Sequence, residues 1–192
     1  MPRGKLIVVS APSGAGKTTI VKAILSKYPS MMFSVSATTR PKRETEIEGK
    51  DYFFLQRADF EGRVTAGELV EFEEIYGNLY GTLKKEVDKA LTSGRTMLFD
   101  IDVKGGLSIK RKYPDDSLLI FIRPPSIEVL RDRLLNRKTE DEATFKRRMD
   151  RVAMELGMAS QFDYQVVNDN LQKAIDEVDK LVVEHTSQEQ RV

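Results

Sequence analysis

A chain of 192 residues, 40% hydrophobic and 32% charged, has the make-up of a soluble globular protein with one substantial core. Its 31 basic residues nearly cancel 30 acidic ones, which argues against a protein that holds nucleic acid or a membrane by bulk positive charge. It has no cysteine, so a disulfide framework and a thiolate metal site are both excluded.

The first apolar run, Leu6 to Val9, is too short for a signal or membrane-spanning segment, and the cytoplasm is the expected location. Residues 5–10 read as a buried strand, because apolar residues run on without alternation. Residues 17–28 read as a helix with Ile20, Ile24 and Tyr28 on its apolar face, stopped by Pro29. Residues 37–82 hold short apolar pieces without clear crossover helices and read as a small β-rich insertion. A helix over 83–91 follows, with Leu83, Val87, Ala90 and Leu91 on one side and Gly94 past its end. Residues 96–101 and 117–122 read as strands, the second ended by Pro124 and Pro125. Ile127, Leu130 and Leu134 suit the buried side of the next helix.

Residues 136–157 are charged and helix-prone and read as a mobile, solvated segment. A strand over 164–167 precedes a periodic helix marked by Leu171, Ala174, Ile175, Val178, Leu181 and Val182. Strands alternating with helices predict an α/β fold with a mostly parallel central sheet covered on both faces, a three-layer core. The expected division is a core of 1–36, 83–135 and 158–192, the insertion of 37–82, and a helical lid of 136–157. Two movable pieces on one core suit an enzyme that closes over two substrates.

The strongest local signal is Ala11-Pro12-Ser13-Gly14-Ala15-Gly16-Lys17-Thr18, followed by Thr19, between a strand and a helix. Gly14 and Gly16 let backbone N–H groups converge on phosphate oxygens at a helix N-terminus. Lys17 would reach the β- and γ-phosphates of a nucleoside triphosphate, and the Thr18 hydroxyl would ligate Mg²⁺. Ala11 stands where this P-loop pattern has its first glycine, and its methyl group is tolerated if φ there is negative. Further on, Arg40 and Arg43 in a hydroxyl-rich run suit bidentate contact with a phosphate monoester. Tyr52 follows in Gly49-Lys50-Asp51-Tyr52-Phe53. Glu71 and the run Gly77-Asn78-Leu79-Tyr80-Gly81-Thr82 add a carboxylate, a phenol and a hydroxyl.

Joined together, the phosphate loop, S-x-S-x-T-T-R-x-x-R, G-x-D-Y-x-F and N-x-Y-G-T make the chain resemble guanylate kinases from end to end. The resemblance implies a P-loop NTPase-like core, a GMP-binding insertion and transfer of a phosphoryl group from Mg-ATP to GMP or dGMP. It implies ATP on residues 11–19 and GMP against Ser36, Arg40, Arg43, Tyr52, Glu71, Tyr80 and Thr82. Guanine offers N1–H and N2–H donors, which suit an acceptor-only Glu71, while Ser36 and Thr82 can serve O6 and its neighbours.

Asp100 and Asp102 end an apolar strand where ligands of a parallel sheet bind, and in the similar family such acids lie near nucleotide and metal. Which of them points inward stays open, and either can instead cap a helix from Val103. The resemblance further implies Arg137 and Arg148 as lid arginines at the transferring phosphoryl, with Arg133 and Arg147 as ordinary surface residues. It makes Asn168 a candidate contact of the donor adenine, whereas Asp169 or Asn170 can cap the last helix. The one histidine, His185, is not expected in catalysis. The expected partners are ATP and GMP, with no nucleic acid and no membrane, in a monomer or homodimer. The rival readings are a kinase of another base and a guanylate-kinase-like protein-binding module.

Overall fold

The computed structural model describes residues 3–135 and 142–187. In chain order its elements begin β1 (Leu6–Ser10), α1 (Lys17–Lys27), β2 (Met32–Phe33), β3 (Ala37–Thr38), β4 (Phe53–Phe54) and α2 (Arg57–Thr65). They continue β5 (Leu69–Ile75), β6 (Asn78–Leu83), α3 (Lys84–Thr92), β7 (Met97–Asp100), α4 (Val103–Lys112) and β8 (Ser117–Arg123). The last are α5 (Ile127–Leu135), α6 (Glu142–Gly157), β9 (Tyr164–Val167) and α7 (Leu171–Ser187).

Five strands form a central sheet in the order β2-β7-β1-β8-β9, every neighbouring pair parallel. All five residues of β1 are buried, and they alternate between two cores as strand geometry requires. Ile7 and Val9 pack with Ile20 and Ile24 of α1 and with Ala174, Val178 and Val182 of α7. Leu6 and Val8 pack with Val87 and Leu91 of α3 and with Val103 and Ile109 of α4. Each such aliphatic side chain withdrawn from water contributes about 1.5–3 kcal/mol. The predicted α/β architecture with helices on both faces is what forms. Because β1 lies between β7 and β8, the crevice beyond its carboxyl end sits where strand order reverses, the usual ligand position in such sheets.

A second sheet, ordered β4-β3-β6-β5, stands beside this crevice. It is mostly antiparallel, with β3 and β4 parallel. Here the sequence reading missed α2. That helix brings one fully buried side chain, Phe60, into a small core with Ala37, Leu69, Leu79 and Leu83. Val64, four residues on, packs against the same core only part-buried, and two large apolar residues in nine leave little period to read.

Other departures are local. Leu83 stays in β6, paired with Leu69, so the next helix starts at Lys84. Leu130 and Leu134 are buried as expected, but Ile127 is 52% exposed at the first residue of α5. The far half of α6 is not solvated: Val152 and Glu155 are both buried. None of the described helices is long and apolar enough to cross a membrane.

Candidate active site

The P-loop leaves β1 through Ser10, whose hydroxyl donates to the Ile101 carbonyl at 2.9 Å. Gly14 and Gly16 take φ of 90° and 93°, the left-handed region that glycine reaches without steric cost. Gly16 caps α1 and provides no side-chain bond, so the first-turn N–H groups of that helix remain suited to an anion. Ala11 is buried, and among the described residues Tyr76 is the one non-glycine with positive φ. The methyl group of Ala11 is therefore unstrained.

Lys17 Nζ lies 2.6 Å from Asp100 Oδ1 and donates to the Ile101 carbonyl at 3.0 Å. The Thr18 hydroxyl donates to Asp100 Oδ2 at 3.0 Å. Asp100 is thus the acid that faces the P-loop. Asp102 caps α4, its Oδ1 accepting the N–H groups of Lys104 and Gly105 at 2.9 and 3.1 Å. The question left open by sequence has a divided answer: both acids border the cleft, but only Asp100 is bonded to the P-loop side chains.

Two cavities meet at this point. One, of about 450 Å³, is lined by Ala11 to Gly14, Gly16 to Thr19, Ile75, Tyr76, Asp102, Arg151 and Glu155. The other, of about 360 Å³, is lined by Ser34, Ser36, Tyr52, Glu71 and Tyr80 on one bank and Lys17, Thr18, Asp100 and Asp102 on the other. Lys17 and Thr18 line both. A phosphate chain in the first cavity and a phosphate in the second would approach each other at the P-loop lysine.

Glu71 is 8% exposed. A bulge between Leu69 and Glu71 sets it opposite Thr82, whose hydroxyl donates to Glu71 Oε1 at 2.6 Å. Burial pushes the Glu71 carboxyl up to about 7, against the pull of that hydrogen bond. In this state the Thr82 proton is engaged with Glu71 rather than facing the cavity. A Cβ on Gly105 would fall 2.8 Å from Glu71 Oε2, so a glycine in α4 gives the carboxylate its room. Sequence reading missed Gly105, although a Gly-Gly pair inside a helix costs about 1 kcal/mol per glycine and asks for a packing reason.

Arg40 and Arg43 do not line the second cavity. Arg40 makes a bidentate pair with Glu46 at 2.6 and 3.1 Å, with its guanidinium carbon 5.3 Å from the centre of the Tyr52 ring. The Tyr52 and Tyr80 rings are 6.1 Å apart, so Arg40 adjoins the cavity through these phenols. Arg43 is exposed, and its backbone N–H donates to Glu46 at 2.8 Å.

Asn168 is buried and donates to the Ala15 carbonyl at 2.8 Å. Its amide occupies the space a Cβ on Gly16 would need, 2.3 Å away. It braces the P-loop from behind and is not among the residues lining the first cavity.

On α6, Arg148 is half-buried and Arg147 exposed, while Arg137 lies outside the described residues. Arg133, expected at the surface only, also reaches the P-loop, donating to the Gly14 carbonyl at 3.4 Å. Arg151 and Glu155, bonded to each other at 2.8 Å, enter the first cavity unforeseen. Their i, i+4 spacing was legible, but nothing in a charge-rich stretch marked that pair over others. Among the described residues no three His, Asp or Glu side chains converge as a metal site. Thr18 and Asp100 nevertheless place hard oxygen donors together, and Mg²⁺ characteristically takes one or two such ligands alongside nucleotide phosphates.

The chain is similar to known proteins over nearly its whole length. Residues 3–185 match the family model described as guanylate kinase. A guanylate kinase of Chlorobium luteolum is 49% identical over 91% of this chain and 89% of the relative. One of Myxococcus xanthus is 45% identical over 100% of this chain and 92% of the relative. The crystal structure of guanylate kinase from Anaplasma phagocytophilum superposes with a TM-score of 0.77 at 28% identity, covering 97% of this chain and 88% of that one.

Proposed function

The chain belongs to the guanylate kinase family, and from that premise we propose that it phosphorylates GMP at the expense of ATP with the residues just described. The observation that carries this reading is the meeting of the two cavities at Lys17 and Thr18. ATP sits on residues 11–19, with the α1 N-terminus and Lys17 at its phosphates. GMP sits in the second cavity with guanine against Glu71 and its phosphate toward Tyr52, Tyr80 and Arg40.

Lys17 exchanges its bond to Asp100 for the donor phosphates, and its charge is then shared with the transferring group. An ionised Glu71 accepts from guanine N1–H and N2–H. Adenine would set a ring lone pair against the same buried carboxylate, and such mismatches allow discrimination of about 10⁴-fold. Arg40 leaves Glu46 for the GMP phosphate, and the flanking tyrosines guide it. Arg148, with Arg137 outside the described residues, spreads the charge that builds on the equatorial oxygens. Mg²⁺ arriving with ATP would be held by Thr18 with Asp100 beside it, and it neutralises phosphate charge when bound. No general base is needed, because the acceptor is already a phosphate oxygen. The core of 1–36, 83–135 and 158–192 stays in place, with the stretch of α6 that Val152 holds in it, while 37–82 and the earlier part of 136–157 close, which excludes water from the transfer.

Transfer is tested by following label from [γ-³²P]ATP in the presence of GMP. Label recovered in GDP, one equivalent per ADP formed, supports the reading. Label in inorganic phosphate alone would overturn direct transfer. No reaction from folded protein that still binds GMP would favour a binding module instead.

A further inference from the structure

Arg151 stands in the donor cavity with no part in the reaction as drawn so far. Its side chain is 17% exposed and its Nε donates to Glu155 Oε1 at 2.8 Å, while the Glu155 side chain is itself only 5% exposed. The far end of the guanidinium is loosely met. Nη2 lies 3.9 Å from Asp102 Oδ1, beyond hydrogen-bond reach, and that oxygen already accepts two backbone N–H groups. Val152, between the two residues in sequence, is buried in the main core. It fixes this stretch of α6 to the body of the protein.

A structural ion pair at i, i+4 would normally stay in water, where it contributes little. Here both partners are withdrawn, and two apolar residues of similar size would pack a helix as well or better. What the charged pair provides instead is a guanidinium already ordered in the cavity that the P-loop lines. Arg carries five N–H donors in a fixed fork matched to phosphate, and four of them are not engaged by Glu155.

We propose that Arg151 is a ligand of the donor polyphosphate and that Glu155 is its positioning residue. The assignment rests on ATP occupying this cavity. When the triphosphate arrives, Nη1 and Nη2 donate to its oxygens while Nε stays on Glu155, so the residue binds without first losing rotamer freedom.

The test is calorimetric titration of the full chain, and of its Arg151→Met, Glu155→Gln and doubly substituted variants, with the non-hydrolysable analogue AMP-PNP and separately with GMP. Arg151→Met is expected to weaken AMP-PNP by about 10- to 100-fold and to leave GMP binding unchanged. Glu155→Gln should weaken AMP-PNP less. The double variant should match Arg151→Met, since a positioning residue has nothing to position once its partner is gone.

AMP-PNP bound by Arg151→Met as tightly as by the parent would overturn the proposal, and so would additive losses in the double variant. If Arg151→Met lowers the melting temperature, Arg151→Lys decides. A loss confined to AMP-PNP supports the proposal, and an equal loss for both nucleotides contradicts it. Turnover of the parent with GMP is measured separately, and its failure would sink the proposed reaction while the titrations still decide Arg151.

Discussion

Replacing Glu71 by glutamine should stabilise the empty protein while it weakens GMP binding. Glu71 is 8% exposed, and burial raises its pKa from 4.5 to about 7. An acid whose folded pKa lies above its unfolded value holds its proton more tightly in the fold. The stability it contributes is full below about pH 4.5, declines as pH rises, and is lost above about 7. The gap between the two values corresponds to about 3 kcal/mol. Glutamine has no charge to desolvate at any pH. Without nucleotide, Glu71→Gln should therefore melt roughly 5–10 °C above the parent at pH 8, and the two should converge near pH 5.

GMP reverses the sense. Donors at guanine N1 and N2 favour the carboxylate, so binding expels a proton, and KM for GMP should climb by about tenfold per pH unit below 7. In Glu71→Gln the slope should vanish and GMP should bind on the order of 100-fold more weakly, because an amide donor now faces guanine donors. Thermal melts and initial rates between pH 5 and 8 read both effects. A slope that survives in the variant would belong to the phosphate of GMP instead. A variant no more stable than the parent at pH 8 would mean that ionised Glu71 costs the empty fold nothing.

Three further outcomes follow from named contacts. Gly105→Ala places a methyl 2.8 Å from Glu71 Oε2, and it should raise KM for GMP by about tenfold with KM for ATP unchanged in steady-state assays. Asp100→Asn puts a neutral amide where an anionic oxygen stands beside Thr18, which weakens the support for Mg²⁺, so kcat should fall by about 100-fold while the ranking of acceptor bases stays the same. Asn168→Ala removes the buried bond to the Ala15 carbonyl. A loss of about 1–2 kcal/mol in urea unfolding, with a raised KM for ATP, is expected.

The P-loop was legible because its chemistry is contiguous: a strand, two glycines, Lys17 and Thr18 lie within about a dozen positions. The α/β layering was legible because β1 and β8 are continuous apolar runs and α7 repeats with helical period. What escaped notice depends on distant partners. Helix α2 turns only Phe60 and the part-buried Val64 toward a cluster that is otherwise assembled from β3, β5 and β6. Gly105 matters only because α4 packs against Glu71. Arg151 and Glu155 resemble any solvated helix pair until the fold puts them in the donor cavity. Asn168 reads in sequence as a contact of the donor adenine, whereas its bond is to the P-loop backbone, 153 positions away, and no local pattern announces it. Arg40 was singled out for its charge, but its resting partner Glu46 was not visible in the motif.

Whether a buried Glu71 beside a P-loop makes this chain select guanine is read from kcat/KM with Mg-ATP for GMP and AMP side by side. The ratio should be about 10⁴ or more in favour of GMP. A ratio within tenfold of unity would contradict it, because a buried carboxylate that tolerates adenine is not reading the base.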